Sequence, residues 1–336
     1  LIDQASGEPT FQMGGAKLVH SGFDNYSAVL GLGKVLYDPA HQPFAPEGWI
    51  FRALFAFAAL MRSFGALLAM QTSSILLGLP LVALQQWIPM PRLLGQRLLQ
   101  ALPETVMALL ISWLLLRYAH KASLSELGLG WRPGAWKEVL LGALGGMLAL
   151  LLAVLPLLAL GLGQFEASES KIRGPFGLVV LLGLIALAAF SEELILRGYA
   201  FQTLAYPLHM MGAVILTSGA FAALHWNNRG ANEFTVANTF LAGCVLGMML
   251  AWRRSLWPVA AAHFGWNLAT ILLGLNVSGI VIPLVPFRIA WRIDTTWTGG
   301  AYGPEGGVPC TIVLSLLLLI LIRLYYHRHT SGQTSA

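Results

Sequence analysis

GPFGLVVLLGLIALAAFSEELILRGYAF (residues 174–201) joins an unbroken apolar run, 174–190, to two adjacent carboxylates, Glu192 and Glu193, with Arg197 four residues after the second. A run of this length approaches the roughly 20 residues that a helix needs to cross a bilayer. An ionised carboxylate at that depth costs several kcal/mol unless it is paired or hydrated, so its presence calls for a reason. On a helix Glu193 and Arg197 share a face, the acid preceding the base, which is the better orientation for an ion pair. Glu192 points about 100° away and cannot use the arginine in the same way. One glutamate is therefore compensated and the other is left available for chemistry. The plainer reading is a helix-end ion pair with Glu192 reaching to the interface, and the rest of the chain must decide between them.

Composition sets the class. Of 336 residues 57% are hydrophobic and 10% charged, against about a quarter charged in a soluble domain. The chain reads as an all-α polytopic membrane protein with an intramembrane polar site, and it lacks the alternating pattern of a membrane barrel. About eight transmembrane helices are expected, at 64–88, 104–119, 136–162, 175–197, 210–226, 234–252, 256–274 and 309–326, with an interfacial helix at 49–62 leading into the first. This divides the chain into a polar extension (1–48), the interfacial helix with two spans (49–119), a core (120–275), and a loop, last span and tail (276–336). The first of these carries no legible role. The chain starts at Leu1, which reads as a fragment or a processed product, and no signal-peptide pattern opens it.

The net charge of +5 is spread among loops, which favours a positive-inside bias over nucleic-acid binding. Arg117, Lys121, Arg132, Lys137, Arg253, Arg254, Arg323 and Arg328 fall on one side of an eight-span arrangement. That side and both termini are expected in the cytoplasm, in a bacterial inner membrane, with the 275–308 loop outside; Arg92 and Arg97 count against it. Cys244 and Cys310 are the only cysteines and read as small hydrophobes.

Two further stretches add polar groups inside apolar segments. FAALHW places His225 four residues after Phe221, and SLWPVAAAHFGWN places His263 and Asn267 on one helix face. A lone membrane histidine is usually an interhelical hydrogen-bonder; three spans each contributing polar groups is harder to explain so. A carboxylate, two imidazoles and an amide are the parts of water-driven acyl hydrolysis. Glu104 reads as lying at a helix entrance. With straight helices one difficulty stands: Glu192 falls near the cytoplasmic end of its span, whereas His225 lies about 20 Å along its own.

Together these stretches resemble the CAAX-protease and bacteriocin-processing family of intramembrane endopeptidases. The match rests on Glu192-Glu193-Leu-Ile-Leu-Arg197, Phe221-Ala-Ala-Leu-His225 and His263-Phe-Gly-Trp-Asn267, in that order on successive segments. The resemblance covers about 120–275. It implies that Glu192 and His225 activate water, that His263 and Asn267 stabilise the oxyanion, and that Glu193 and Arg197 hold the site together. It implies a membrane-associated peptide or protein substrate, either prenylated at a C-terminal Cys-a-a-X or carrying a leader, and no nucleic acid. A divalent metal, zinc on Glu192, His225 and His263, stays open, with the amide of Asn267 favouring metal-independent chemistry. His-Glu-x-x-His, Gly-x-Ser-Gly and Gly-x-Gly-Asp do not occur. Two other classes compete: a non-enzymatic self-immunity or membrane scaffold protein of the same family, and a transporter using the buried groups as a proton relay, for which no inverted repeat is visible.

Overall fold

WIFRALFAFAALMRSFGALLAMQTSSILLGLPL contains no proline before Pro80, and α1 (Trp49–Leu81) runs through it without a break. The interfacial helix expected at 49–62 is thus continuous with the first span. Arg62, within that stretch, is half-buried and lies close enough to His120 and Tyr199 for its charge to act on both. The computed structural model describes residues 12–13, 16–17, 49–81, 87, 91–172 and 174–331, with side chains at most positions from 56 onward. The expected 1–48 extension lies outside them, apart from a two-residue ladder of Gln12–Met13 against Ala16–Lys17.

α2 (Arg92–Leu99) leads across Gln100 into α3 (Ala101–Leu114), which continues as a wider π-helical turn to His120. Then follow α4 (Ala135–Ala159), α5 (Gly174–Glu193), α6 (Phe201–Leu224), α7 (Glu233–Arg253), α8 (Leu256–Leu272) and α9 (Val308–Ser331). Two strands, β1 (Gly163–Ala167) and β2 (Phe287–Trp291), pair antiparallel from Gly163↔Trp291 to Ala167↔Phe287. They close the end of the bundle where α4 finishes and α5 begins.

Among the described residues seven helical segments are long and apolar enough to cross a membrane: Ala56–Leu81, Leu94–His120, Ala135–Ala159, Gly174–Ala205, Pro207–Leu224, Glu233–Arg253 and Val308–Arg328. The chain is an all-α polytopic membrane protein. The remaining expected span is α8, only 17 residues or about 25 Å long, enclosed by its neighbours rather than facing lipid along its length.

The fourth span departs most from expectation. It does not stop after Arg197 but bends: beyond α5 a π-helical stretch, Leu194–Ala200, leaves helical geometry at Gly198 (φ -75, ψ -117), and the apolar segment resumes through the first turn of α6 to Ala205. Pro207 and His209, with φ 60 and ψ 167, end it. Glu192 therefore lies in the interior of the span Gly174–Ala205. Glu192 and His225 line the same cavity, so the expected mismatch in depth does not keep the two apart.

α4 and α8 meet backbone to backbone. A Cβ on Gly146 would stand 1.9 Å from Ala262 O, one on Gly142 2.4 Å from Pro258 O, and one on Gly265 2.0 Å from Ala143 O. Small residues four apart let helices approach this closely in a membrane, where dispersion replaces the hydrophobic effect as the main drive for association. The approach fixes α8, and with it His263. The 275–308 segment is not a loose loop: Tyr302 and Thr298 are buried, and the Asn238 amide of α7 donates to Glu305 O at 2.9 Å and Gly307 O at 3.1 Å.

We expect Gly146→Val to force α4 away from α8 and lower the unfolding midpoint in detergent, by about 1–3 kcal/mol of overpacking. Gly145→Ala, whose Cβ meets nothing within 4 Å, should leave a thermal melt unchanged.

Candidate active site

The site begins where α5 widens. A π-helical turn spreads the backbone immediately after the Glu pair, a distortion common at functional positions. Arg197, inside that turn, has no solvent exposure, and neither does Glu193. Its Nη1 donates to Glu193 Oε1 at 3.3 Å, its Nη2 to the carbonyl of Gly243 on α7 at 3.1 Å, and its guanidinium lies 4.8 Å from the Phe221 ring centre. An arginine at mid-bilayer costs about 2.5–3.5 kcal/mol on insertion scales. Hydrogen bonds to charged groups contribute roughly 1.5–3 kcal/mol each, and a desolvated cation–π contact about 2. The contacts win, and they tie α5 to α6 and α7.

Glu193 has a second client. His263 Nδ1–H donates to the same Oε1 at 2.9 Å. This leaves His263 Nε2 directed towards Glu192, 3.9 Å from Glu192 Oε2. Glu192 differs sharply from its neighbour: 38% of its side chain is exposed, against none for Glu193, although its Oε2 is buried and accepts no hydrogen bond from the protein. At the C-terminus of α6, His225 Nδ1–H donates to Phe221 O at 2.8 Å, so Nε2 is its remaining nitrogen. Phe221 packs between the imidazoles, its ring centre 4.5 Å from that of His225 and 6.0 Å from that of His263.

Glu192, His225, His263 and Asn267 line one cavity of about 310 Å³, with Glu104 and Ser278 also in its wall. The structure thus brings together all six residues singled out in the sequence: four face the cavity, while Glu193 and Arg197 are buried behind it. A second, mostly apolar crevice of about 230 Å³ runs between α4, α7, α8 and α9, and Phe221, His263, Asn267 and Ser278 line both.

Residues 174–269 match the family model described as Type II CAAX prenyl endopeptidase Rce1-like. The match covers less than a third of the chain and supports the CAAX-protease family. The matched segment takes in α5, α6, α7 and most of α8, and so all six polar residues. A comparison with curated proteins finds no match.

Among the described residues no group of three or more His, Cys, Asp or Glu side chains is placed to hold an ion, the trio Glu192, His225 and His263 included.

Two carboxylates escaped the sequence reading. Glu104 lies well inside the span Leu94–His120 because α2 extends that span backwards. Its signal was the apolar register of Leu94, Leu98 and Leu99 ahead of it. Glu305, in a Gly-rich stretch, is buried: its Oε1 accepts from Trp266 Nε1 at 3.1 Å, and its Oε2 from Ser278 N at 2.7 Å and Ser278 Oγ at 2.6 Å. Burial pushes its carboxyl above the usual range, against the opposing pull of the Ser278 hydroxyl and the His225 charge. Nothing local in the sequence marks those partners.

Removing Arg197 leaves Glu193 buried and half-compensated, so Arg197→Ala should cost about 3–5 kcal/mol in denaturant unfolding from mixed micelles. Arg197→Lys should fall between, because one ammonium cannot serve Glu193 and Gly243 O in the planar fork that arginine provides.

Proposed function

We propose that this chain is an intramembrane endopeptidase that hydrolyses a peptide bond of a membrane-associated substrate. The observation that carries the reading is the convergence of Glu192, His225, His263 and Asn267 on one cavity, with Glu193 and Arg197 buried behind them. Glu192, whose buried Oε2 accepts no hydrogen bond from the protein, takes the proton of the attacking water, and His225 orients that water through Nε2. His263 Nε2 and the Asn267 amide face the carbonyl oxygen as charge develops on it. Glu193 supports an imidazolium at His263 through Nδ1, in the manner of a carboxylate behind a catalytic histidine.

The substrate is a peptide held at the membrane by an apolar element, either a prenylated C-terminal Cys-a-a-X sequence or a leader. The crevice that shares Phe221, His263 and Asn267 with the cavity offers an apolar surface beside the scissile bond. The basic residues at the Arg117–Arg132 and Arg253–Arg254 end favour the cytoplasm on that side, with both termini there and in a bacterial inner membrane.

Purified protein in detergent, assayed on a quenched-fluorescent library of lipid-anchored peptides, tests the reading. Glu192→Ala and His225→Ala should each lower kcat by about 10²–10⁴ while unfolding as the wild type does, and Asn267→Ala by about 10²–10³. Full cleavage by Glu192→Ala would remove the protease reading in favour of a self-immunity or scaffold role. Treatment with 1,10-phenanthroline should leave turnover unchanged; inactivation reversed by zinc would show that the three candidate ligands rearrange around a metal.

A further inference from the structure

Glu192 is not the only carboxylate in the cavity. Glu104, on α3, lines it from another wall, half-buried, outside the family-matched segment and within range of the charge on Glu192. Two carboxyl groups in one cavity, each within range of the other's charge, repel when both are ionised, which favours a state in which one of them keeps a proton.

Hydrogen bonding indicates which one. Ser191 precedes Glu192 on α5, is fully buried, and has a single hydroxyl proton. Its Oγ lies 2.9 Å from Ala188 O and 3.3 Å from Glu104 Oε2. The carbonyl is the nearer acceptor and takes the larger share of that single proton, so Ser191 compensates a charge on Glu104 only weakly. Glu192 has in addition His263 Nε2 at 3.9 Å from its Oε2. Glu104 is therefore the carboxyl assigned the retained proton.

We propose that Glu104 is a further catalytic residue of the reaction proposed above, the general acid that protonates the leaving amine. The proposal rests on the protease reading. As water attacks the carbonyl carbon, its proton passes to the Glu192 carboxylate. When the C–N bond of the tetrahedral intermediate breaks, Glu104 gives its proton to the departing nitrogen. The products are a carboxylic acid and an amine, with Glu192 protonated and Glu104 ionised. Return of that proton from Glu192 to Glu104, directly or through water, restores the starting state, so the cycle consumes one water.

Among the described residues, the other titratable groups facing this cavity are Glu192 on α5, His225 on α6 and His263 on α8. From α1 and α2 come Gln71, Leu94 and Leu98, which do not titrate, and Glu193 and Arg197 are engaged with each other.

The test uses Glu104→Gln, which keeps the shape and an acceptor for Ser191 but cannot donate a carboxylic proton. Two substrates are compared: the best-cleaved peptide from the library, and the 4-nitrophenyl ester of its acyl half, whose leaving group departs without protonation. On the peptide, Glu104→Gln should lower kcat roughly tenfold or more with KM changed less than about twofold, and the alkaline limb of the pH–rate profile should disappear. On the ester the same variant should turn over at close to the wild-type rate. Equal losses on both substrates would make Glu104 structural and overturn the proposal, as would undiminished peptide cleavage with the alkaline limb intact. Glu192→Ala, run alongside, separates this failure from that of the parent reading: it should be inactive on both substrates, and if it cleaves the peptide normally the whole assignment falls.

Discussion

A guanidinium sealed inside a bundle of apolar helices constrains everything around it. Arg197 can stay charged there only because Glu193, the Gly243 carbonyl and the face of Phe221 surround it, and each comes from a different turn or a different helix. Breaking such a buried pair exposes an uncompensated charge to low dielectric, which is far costlier than the pair is stabilising. The result constrains arrangement: this packing of α5, α6 and α7 engages both Nη atoms of Arg197, while its Nε and Glu193 Oε2 are left without a hydrogen bond. Glu193 then passes that constraint on to α8, because the oxygen that meets Arg197 also meets His263 Nδ1.

The division of labour between adjacent glutamates follows from helix geometry. Residues one apart face directions about 100° apart, so when Glu193 is turned into the bundle, Glu192 must look elsewhere, and here it looks into the cavity. The close glycine-mediated contact of α4 with α8 sets how far His263 and Asn267 reach towards it. The 275–308 segment, anchored by Glu305 and Asn238, supplies the wall at Ser278. The polar side chains that face water and substrate are thus held by groups that face neither.

Much of this was legible in the sequence. The compensated and uncompensated glutamates, the His225 and His263 segments and the all-α membrane class follow from spacing and from the rarity of charge in apolar runs. Where the fourth span ends did not follow: Gly198 does break the helical geometry, as a glycine there suggests, but the apolar segment resumes beyond it to Ala205. That single misjudgement put Glu192 near a membrane surface and created the mismatch with His225. Glu104 was placed at a helix entrance because the second span was expected to begin at 104, whereas α2 and α3, joined across Gln100, carry it back to Leu94. Glu305 and Tyr302 lie in a Gly-rich stretch that reads as solvated, and only contacts with distant residues such as Trp266, Ser278 and Thr239 bury them.

The account turns on side chains from α5, α6 and α8 facing one cavity. Pairwise thiol cross-linking measures this directly, in a chain with Cys244→Ala and Cys310→Ala and cysteines introduced in pairs by Glu192→Cys with His263→Cys, or Glu192→Cys with His225→Cys. A short bifunctional methanethiosulfonate should join both pairs in the membrane, seen by mass spectrometry as linked α5–α8 and α5–α6 peptides. Labelling of all three positions without any linkage would mean that they face separate surroundings, and would contradict the account.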